Sequence, residues 1–235
     1  VIDDEFTNLQ NLNASHNSRL GRDHQFILNC PELMYLNLAS TNLNMGVRLK
    51  NAIRLENVII TDTNIKQFSV SQSTDPLTFS NLKNLVLRST SNNLTSLNLK
   101  YNNQSEWQEN GGSTDYFEWG YSAYNLKTLD VSDCQLLENL YLPFANDTYV
   151  DMEKIYLEVI NISNTKLGRN GTVDNFFLGQ EFSPDHYPDG HVLEIIANNV
   201  HDINNNPCNL STNVYTDLIT GWSESGKTII INADF

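Results

Sequence analysis

Aliphatic residues recur along this chain in a fixed pattern. Counted from a first leucine, they fall at offsets three, five and ten, with a small polar residue at eight. The copies are Leu33/Leu36/Leu38/Thr41/Leu43, Leu55/Val58/Ile60/Thr63/Ile65, Leu126/Leu129/Val131/Cys134/Leu136 and Leu157/Ile160/Ile162/Thr165/Leu167. A fifth copy, Leu82/Leu85/Leu87/Thr90, carries its last leucine late, at Leu94. Offsets three and five differ by two, so both side chains point to one face of a short strand. The aliphatic at ten closes the same interior after the chain turns. One such unit cannot bury its own apolar face, so successive units must stack. A Thr hydroxyl at offset eight, where the chain leaves the strand, is placed to satisfy a backbone group the sheet no longer reaches. Each unit has a weaker second half, such as Ile65-Lys66-Gln67-Phe68-Ser69-Val70 or Leu94-x-x-Leu97-x-Leu99, whose alternation suits a strand or an extended back face.

The repeats predict three regions. Residues 1–30 lack the columns and read as an N-terminal cap, since a stack of repeats exposes apolar surface at its ends. Residues 31–190 hold the irregular repeats, and 191–235 a worn repeat and a C-terminal cap. Repeat starts at 33, 55, 82, 126 and 157 lie 22, 27, 44 and 31 residues apart, so something is inserted between the third and fourth. The insert, 100–124, carries Tyr101, Trp107, Tyr116, Phe117, Trp119, Tyr121 and Tyr124 beside Glu106, Glu109, Asp115 and Glu118, with Gly111-Gly112 as a turn. Asp75-Pro76, residues 143–153 and Ser183–Gly190 read as turns or loops. Thr172–Leu178 reads as a strand and Val192-x-x-Ile195-x-Ala197 as a worn repeat. Residues 211–221 read as a helix opened by Ser211 or Thr212 and ended by Gly221, and Lys227–Asn232 as a final strand.

The L-x-x-L-x-L-x-x-T-x-L wording resembles the leucine-rich repeat, with Thr mostly standing where that family has Asn. Asn29-Cys30-Pro31-Glu32-Leu33, Leu94–Leu99 and Leu126–Ser132 are similar to internalin-type repeats of bacterial surface proteins. The resemblance covers about residues 30–170 well and 190–235 poorly. It implies an α/β leucine-rich-repeat solenoid, β-dominated with little helix: a curved parallel sheet, an irregular convex side and caps. It also implies partner binding on the concave sheet, and an exported or lipid-anchored location on the bacterial surface.

Composition narrows the function classes. The net charge of −14 disfavours nucleic acid and adsorption to anionic lipid. The 34 Asn suit turns, because Asn tolerates left-handed backbone. Three cysteines make no disulfide framework. Cys30 and Cys134 read as small buried residues, and Cys208, in a turn, as either buried or reactive. No run of about 18 apolar residues occurs, so no spanning helix is expected. The chain opens with Val1 and no signal peptide, which leaves room for a leader or lipid-bearing cysteine upstream.

Candidate binding residues follow from two features. On the strands, the outward residues include Tyr35, Ile59, Val86 and Asp130. In the insert, Trp107, Tyr116, Trp119 and Tyr121 suit a protein interface or stacking on sugar rings, or else pack as a small hairpin on the repeats. His16 and His24 read as surface residues. Asp185, His186, Asp189 and His191 cluster in one loop without a metal-ligand spacing. Asp202-Ile203-Asn204-Asn205-Asn206 begins like a calcium loop, but Pro207 replaces the required glycine and no Glu closes it. Asn-x-Ser/Thr triplets start at Asn13, Asn93, Asn103, Asn146, Asn161, Asn170 and Asn209, which a bacterial protein would not use. No hydrolase, metalloprotease, P-loop or dinucleotide motif is present, and no cofactor is expected. The expected function is a non-catalytic surface recognition module for a protein partner. The alternative is a carbohydrate-binding accessory lipoprotein of an outer-membrane nutrient-uptake complex.

Overall fold

The computed structural model describes residues 2–20, 26–43, 47–50, 52–63, 68–71, 81–88, 94–99, 117–119, 125–142, 154–178 and 182–235. Its strands, in chain order, begin with β1 (Ile2–Glu5), β2 (Asn11–Asn13), β3 (Phe26–Asn29), β4 (Tyr35–Asn37), β5 (Val47–Lys50), β6 (Asn57–Ile59), β7 (Phe68–Ser71) and β8 (Asn84–Val86). They continue with β9 (Ser96–Asn98), β10 (Phe117–Trp119), β11 (Thr128–Asp130), β12 (Asn139–Tyr141), β13 (Val159–Asn161), β14 (Val192–Ala197), β15 (Val200–His201), β16 (Pro207–Cys208) and β17 (Thr228–Ala233). Most fall into two parallel sheets, between which the chain passes back and forth. The front sheet has the order β2-β4-β6-β8-β11-β13-β14-β17, and the back sheet β1-β3-β5-β7-β10-β9-β12. The chain is thus β-dominated with little helix.

The front sheet is built by the aliphatic columns. Leu12, Leu36, Val58, Leu85, Leu129, Ile160, Ile195 and Ile231 pair in register across all eight strands. From Leu36 to Ile195 every member is fully buried. In β4, β6, β8, β11 and β13 that residue sits between two half-buried neighbours, the alternation of a sheet covered on one side. The second column continues the ladder. The N–H groups of Leu38, Ile60, Leu87, Val131 and Ile162 donate to Ile59, Val86, Asp130, Asn161 and Ile196 on the next rung at 2.7–2.9 Å. Each fully buried aliphatic stabilises the fold by about 1.5–3 kcal/mol, which a lone unit would forfeit.

Turning out of the strand needs a backbone that most residues resist. Four residues after Leu12, Leu36, Val58, Leu129, Ile160 and Ile195, the residues His16, Ser40, Asp62, Asp133, Asn164 and Asn199 have φ between 52° and 62°. Asn and Asp enter this left-handed region most readily among non-glycine residues, and they hold four of the six places. The N–H groups of His16, Ser40, Asp133 and Asn164 still reach the next rung at 2.8–3.0 Å, so hydrogen bonding follows the chain around the corner. At the following position, the Thr41 and Thr165 hydroxyls donate to the carbonyls of Leu38 and Ile162, both at 2.7 Å. Cys134 donates to Leu87 of the neighbouring rung at 3.1 Å. Thr63 Oγ1 is buried and has no partner among the described residues.

Several expectations need correction. The back is more regular than an irregular convex side, because the weaker half-repeats pair into the seven-stranded sheet. The insert also contributes to it: β10 lies between β7 and β9, out of chain order. Residues 2–29, expected as a cap, already supply one front and two back strands. Leu137, not Leu136, closes its rung. It is fully buried while Leu136 is half-buried, because a turn from Leu137 N to Cys134 O takes up one extra residue. Within Thr172–Leu178 the chain forms not a strand but a single helical turn, α1 (Asp174–Phe177), which buries Phe177. The helix α2 (Thr212–Glu224) runs three residues past Gly221. Its N-cap is Ser211, whose Oγ accepts from Val214 N, and it ends at Gly226, whose φ of +69° suits the glycine.

The core of the C-terminal region is built largely from aromatic side chains. Phe177, Phe182, Tyr187 and Trp222 are all buried. The Tyr187 and Trp222 rings are 4.8 Å apart, and Trp222 Nε1 donates to the Phe182 carbonyl at 2.9 Å. All three cysteines are buried thiols, and none is in a disulfide. Burial pushes the Cys30 thiol up to about 11. Burial also raises Cys208, whose sulfur lies against Gly168. No helix among the described residues is long and apolar enough to cross a membrane.

The open face of the front sheet as a candidate site

Period two along each strand turns two rows of side chains away from the core, and register aligns them across the rungs. One row runs Asn11, Tyr35, Asn57, Asn84, Thr128, Val159, Glu194, Ile230. The other runs Asn13, Asn37, Ile59, Val86, Asp130, Asn161, Ile196, Asn232. All sixteen are half-buried or exposed, so nothing among the described residues covers this face.

Three of the expected binding residues, Ile59, Val86 and Asp130, are successive members of one row, on β6, β8 and β11. Tyr35 stands in the other row on β4, diagonal to Ile59. The result is a short apolar strip with a phenol at one end and a carboxylate at the other. Beside it, Asn84 Nδ2 donates to Asn57 Oδ1 at 2.6 Å, joining two rungs by their amides. Along the flank, Lys83 pairs with Glu56 at 3.0 Å and Lys127 with Glu158 at 2.7 Å. Such exposed pairs contribute about 0–1 kcal/mol each and mainly set the pattern of charge.

Asp130 has a second duty. Its Oδ1 accepts from Ser132 N at 2.9 Å and Ser132 Oγ at 2.7 Å. Asn13, Asn37 and Asn161 hold the same position on their rungs and likewise accept the N–H two residues on. This local bond steers the chain into its left-handed corner. The polar members of the row are therefore partly spent on the turn, whereas Ile59, Val86 and Ile196 at the same position face outward without that role. Ile196 was not anticipated; its place becomes visible once β14 is registered on β13.

The aromatic insert divides differently. Trp107, Tyr116 and Tyr121 lie outside the described residues, as do the Gly111-Gly112 turn and the loop at 143–153. The backbone of Trp119 belongs to β10 in the back sheet, so this residue does not share a sheet with Tyr35.

No group of three or more metal-ligating side chains comes together among the described residues. His191 bonds the Leu157 carbonyl through Nε2 at 2.6 Å. In the calcium-like segment, Asp202 Oδ1 accepts from Asn204 N and Asn206 N at 2.8 and 2.9 Å, and Oδ2 from Asn206 Nδ2 at 3.0 Å. The Asn206 side chain, followed by the backbone N–H groups, holds the Asp202 carboxyl below its ordinary value despite burial, which opposes the shift. Its oxygens organise the tight turn joining the antiparallel strands β15 and β16. Comparison with known proteins gives no relative to set beside this geometry: no family model, no curated protein and no solved structure matches the chain.

Proposed function

We propose that the chain is a leucine-rich-repeat solenoid with internalin-like wording, acting as a non-catalytic recognition module at the cell surface. Its partner is a protein that seats on the open front face. The observation that carries this reading is the row Ile59–Val86–Asp130 with Tyr35 beside it, apolar at its centre and polar at its margins, on a face that no described residue covers. That arrangement has the anatomy of an interface core and rim. A rigid parallel sheet also presents it with little ordering on binding.

The test is photocrosslinking on intact cells of the producing organism. A crosslinker replacing Tyr35 or Val86 gives a discrete protein adduct, lost when Ile59→Asp is added, while one at exposed Leu178 does not. Equal labelling from Leu178, or no adduct from the front positions, contradicts the reading. The alternative, a carbohydrate-binding accessory lipoprotein, draws support from the seven aromatics in 100–124. A glycan array that responds to the wild type and not to Trp119→Ala favours it.

A further inference from the structure

Where the front strands turn away near the C-terminal end, side chains line a cavity of about 270 Å³ that is open to solvent on one side. Gln135, Thr165, Lys166, Asn199, His201 and Asn205 line it, with Asn164 in the wall. Small-molecule pockets are usually lined mostly by apolar groups; here every lining side chain is polar.

Some of these groups are committed to holding the walls. Asn164 Nδ2 donates to Asp133 Oδ1, and Asn199 Nδ2 to Asn164 Oδ1, both at 2.6 Å, so three successive left-handed corners are tied together. Thr165 donates to Ile162 O. His201 Nδ1 lies 3.0 Å from the Asn199 carbonyl. A carbonyl only accepts, so Nδ1 carries the hydrogen and Nε2 is left over.

The remaining groups are the Lys166 ammonium, the Gln135 and Asn205 amides and His201 Nε2. None has a hydrogen bond or ion pair among the described residues. Lys166 thus differs from Lys83 and Lys127, which each pair with a glutamate in this chain of net charge −14. Next to it, Arg169 spends its guanidinium on the carbonyls of Lys166, Gly168 and Glu138, and so adds a second positive charge with no carboxylate bonded to it among the described residues. The nearby carboxylates of Asp133, Asp202 and Asp234 each accept protein N–H groups.

We propose that this cavity binds a small hydroxy-carboxylate of about monosaccharide size, of the uronic acid type. Lys166 takes the carboxylate, since charge-assisted hydrogen bonds are the stronger kind. The Gln135 and Asn205 amides and His201 Nε2 take the hydroxyls. The cavity lies at the end of the sheet and shares no residue with the Tyr35–Ile59–Val86–Asp130 strip, so the two readings fail or survive separately.

The test is an NMR titration of the ¹⁵N-labelled chain with sodium galacturonate, sodium acetate and galactose. Galacturonate gives saturable shifts at the amides of Lys166, His201 and Asn205. Acetate, which has the charge without the hydroxyls, binds at least tenfold more weakly, and so does galactose, which has the hydroxyls without the charge. Lys166→Gln weakens galacturonate at least tenfold with the rest of the spectrum unchanged, and Asn205→Ala weakens it without altering acetate. No saturable shift at these amides, equal binding of galactose, or an unaffected Lys166→Gln overturns the proposal.

Discussion

The rungs between residues 33 and 167 and the end that follows them solve the same burial problem by different means. In the rungs, each buried position is filled by one aliphatic per coil, and its neighbours are the same position on the coils before and after. The C-terminal region adds β14 and β17 to the front sheet, but its largest buried side chains are aromatic. Phe177, Phe182, Tyr187 and Trp222 come from unrelated segments and converge under α2, with one side-chain hydrogen bond fixing the indole. Stacking makes stability a sum of nearest-neighbour terms, whereas this cluster ties together segments that do not repeat.

This contrast is breakable by mutation, and the largest effect belongs to the aromatic cluster. Trp222→Ala costs about 3–5 kcal/mol, as expected for a buried large aromatic. In hydrogen exchange the loss spreads from β17 and β14 and fades before β4. Leu129→Ala, in the middle of the front sheet, costs about 2–5 kcal/mol. Its exchange pattern is symmetrical, loosening β8 and β13 together. Equal exchange across all rungs in both variants would mean that the chain unfolds as one unit and that the contrast is empty.

Gly168→Ala tests the junction of the two regions. An added Cβ would meet Cys208 Sγ at 2.4 Å and Cys208 Cβ at 2.7 Å, so backbone must move. The expected loss is about 1–3 kcal/mol in denaturant melts. Cys208→Gly in the same chain relieves part of it, as a coupled pair should.

Within the rungs, the offset-eight column separates a hydrogen-bonded residue from an unpartnered one. Thr165→Val loses the bond to Ile162 O and about 1 kcal/mol, while Thr63→Val, whose hydroxyl has no described partner, is neutral or slightly stabilising. The smallest effect concerns acid. The Asp202 carboxyl is lowered in the folded chain, so it contributes stability that is present above the unfolded value of about 3.9. That contribution is lost as pH falls through the lower folded value. The stability difference between wild type and Asp202→Asn is therefore present at neutral pH and shrinks on acidification through that window.

The front sheet was legible because its constraint is compositional: Leu36, Val58, Leu85, Leu129 and Ile160 must all be aliphatic to share one interior. The outward strip followed from the same count by two. The back sheet was half legible, since Phe68-Ser69-Val70 and Leu97-x-Leu99 alternate over too few residues to separate a paired strand from an extended segment. The left-handed corner was not legible as a column. Its requirement is a backbone angle, which His16, Ser40, Asp62 and Asn164 meet with different side chains. Asp174-Asn175-Phe176-Phe177 is too short for periodicity to decide between strand and helical turn, and its aromatics pack against Phe182 beyond that window. The cavity at Lys166 depends on side chains from separate coils and a hairpin, a convergence no local window contains.

The central claim, that successive coils stack in register to present one open face, is tested most directly by pulsed dipolar distances along one outward row. Spin labels on genetically encoded side chains replace Tyr35 and, in turn, Asn84, Thr128, Val159 and Glu194. With about 4.8 Å per rung, the separations rise in even steps of roughly 10, 14, 19 and 24 Å, although the sequence intervals are uneven. Separations that follow the sequence interval, or show no order by rung, would contradict the account.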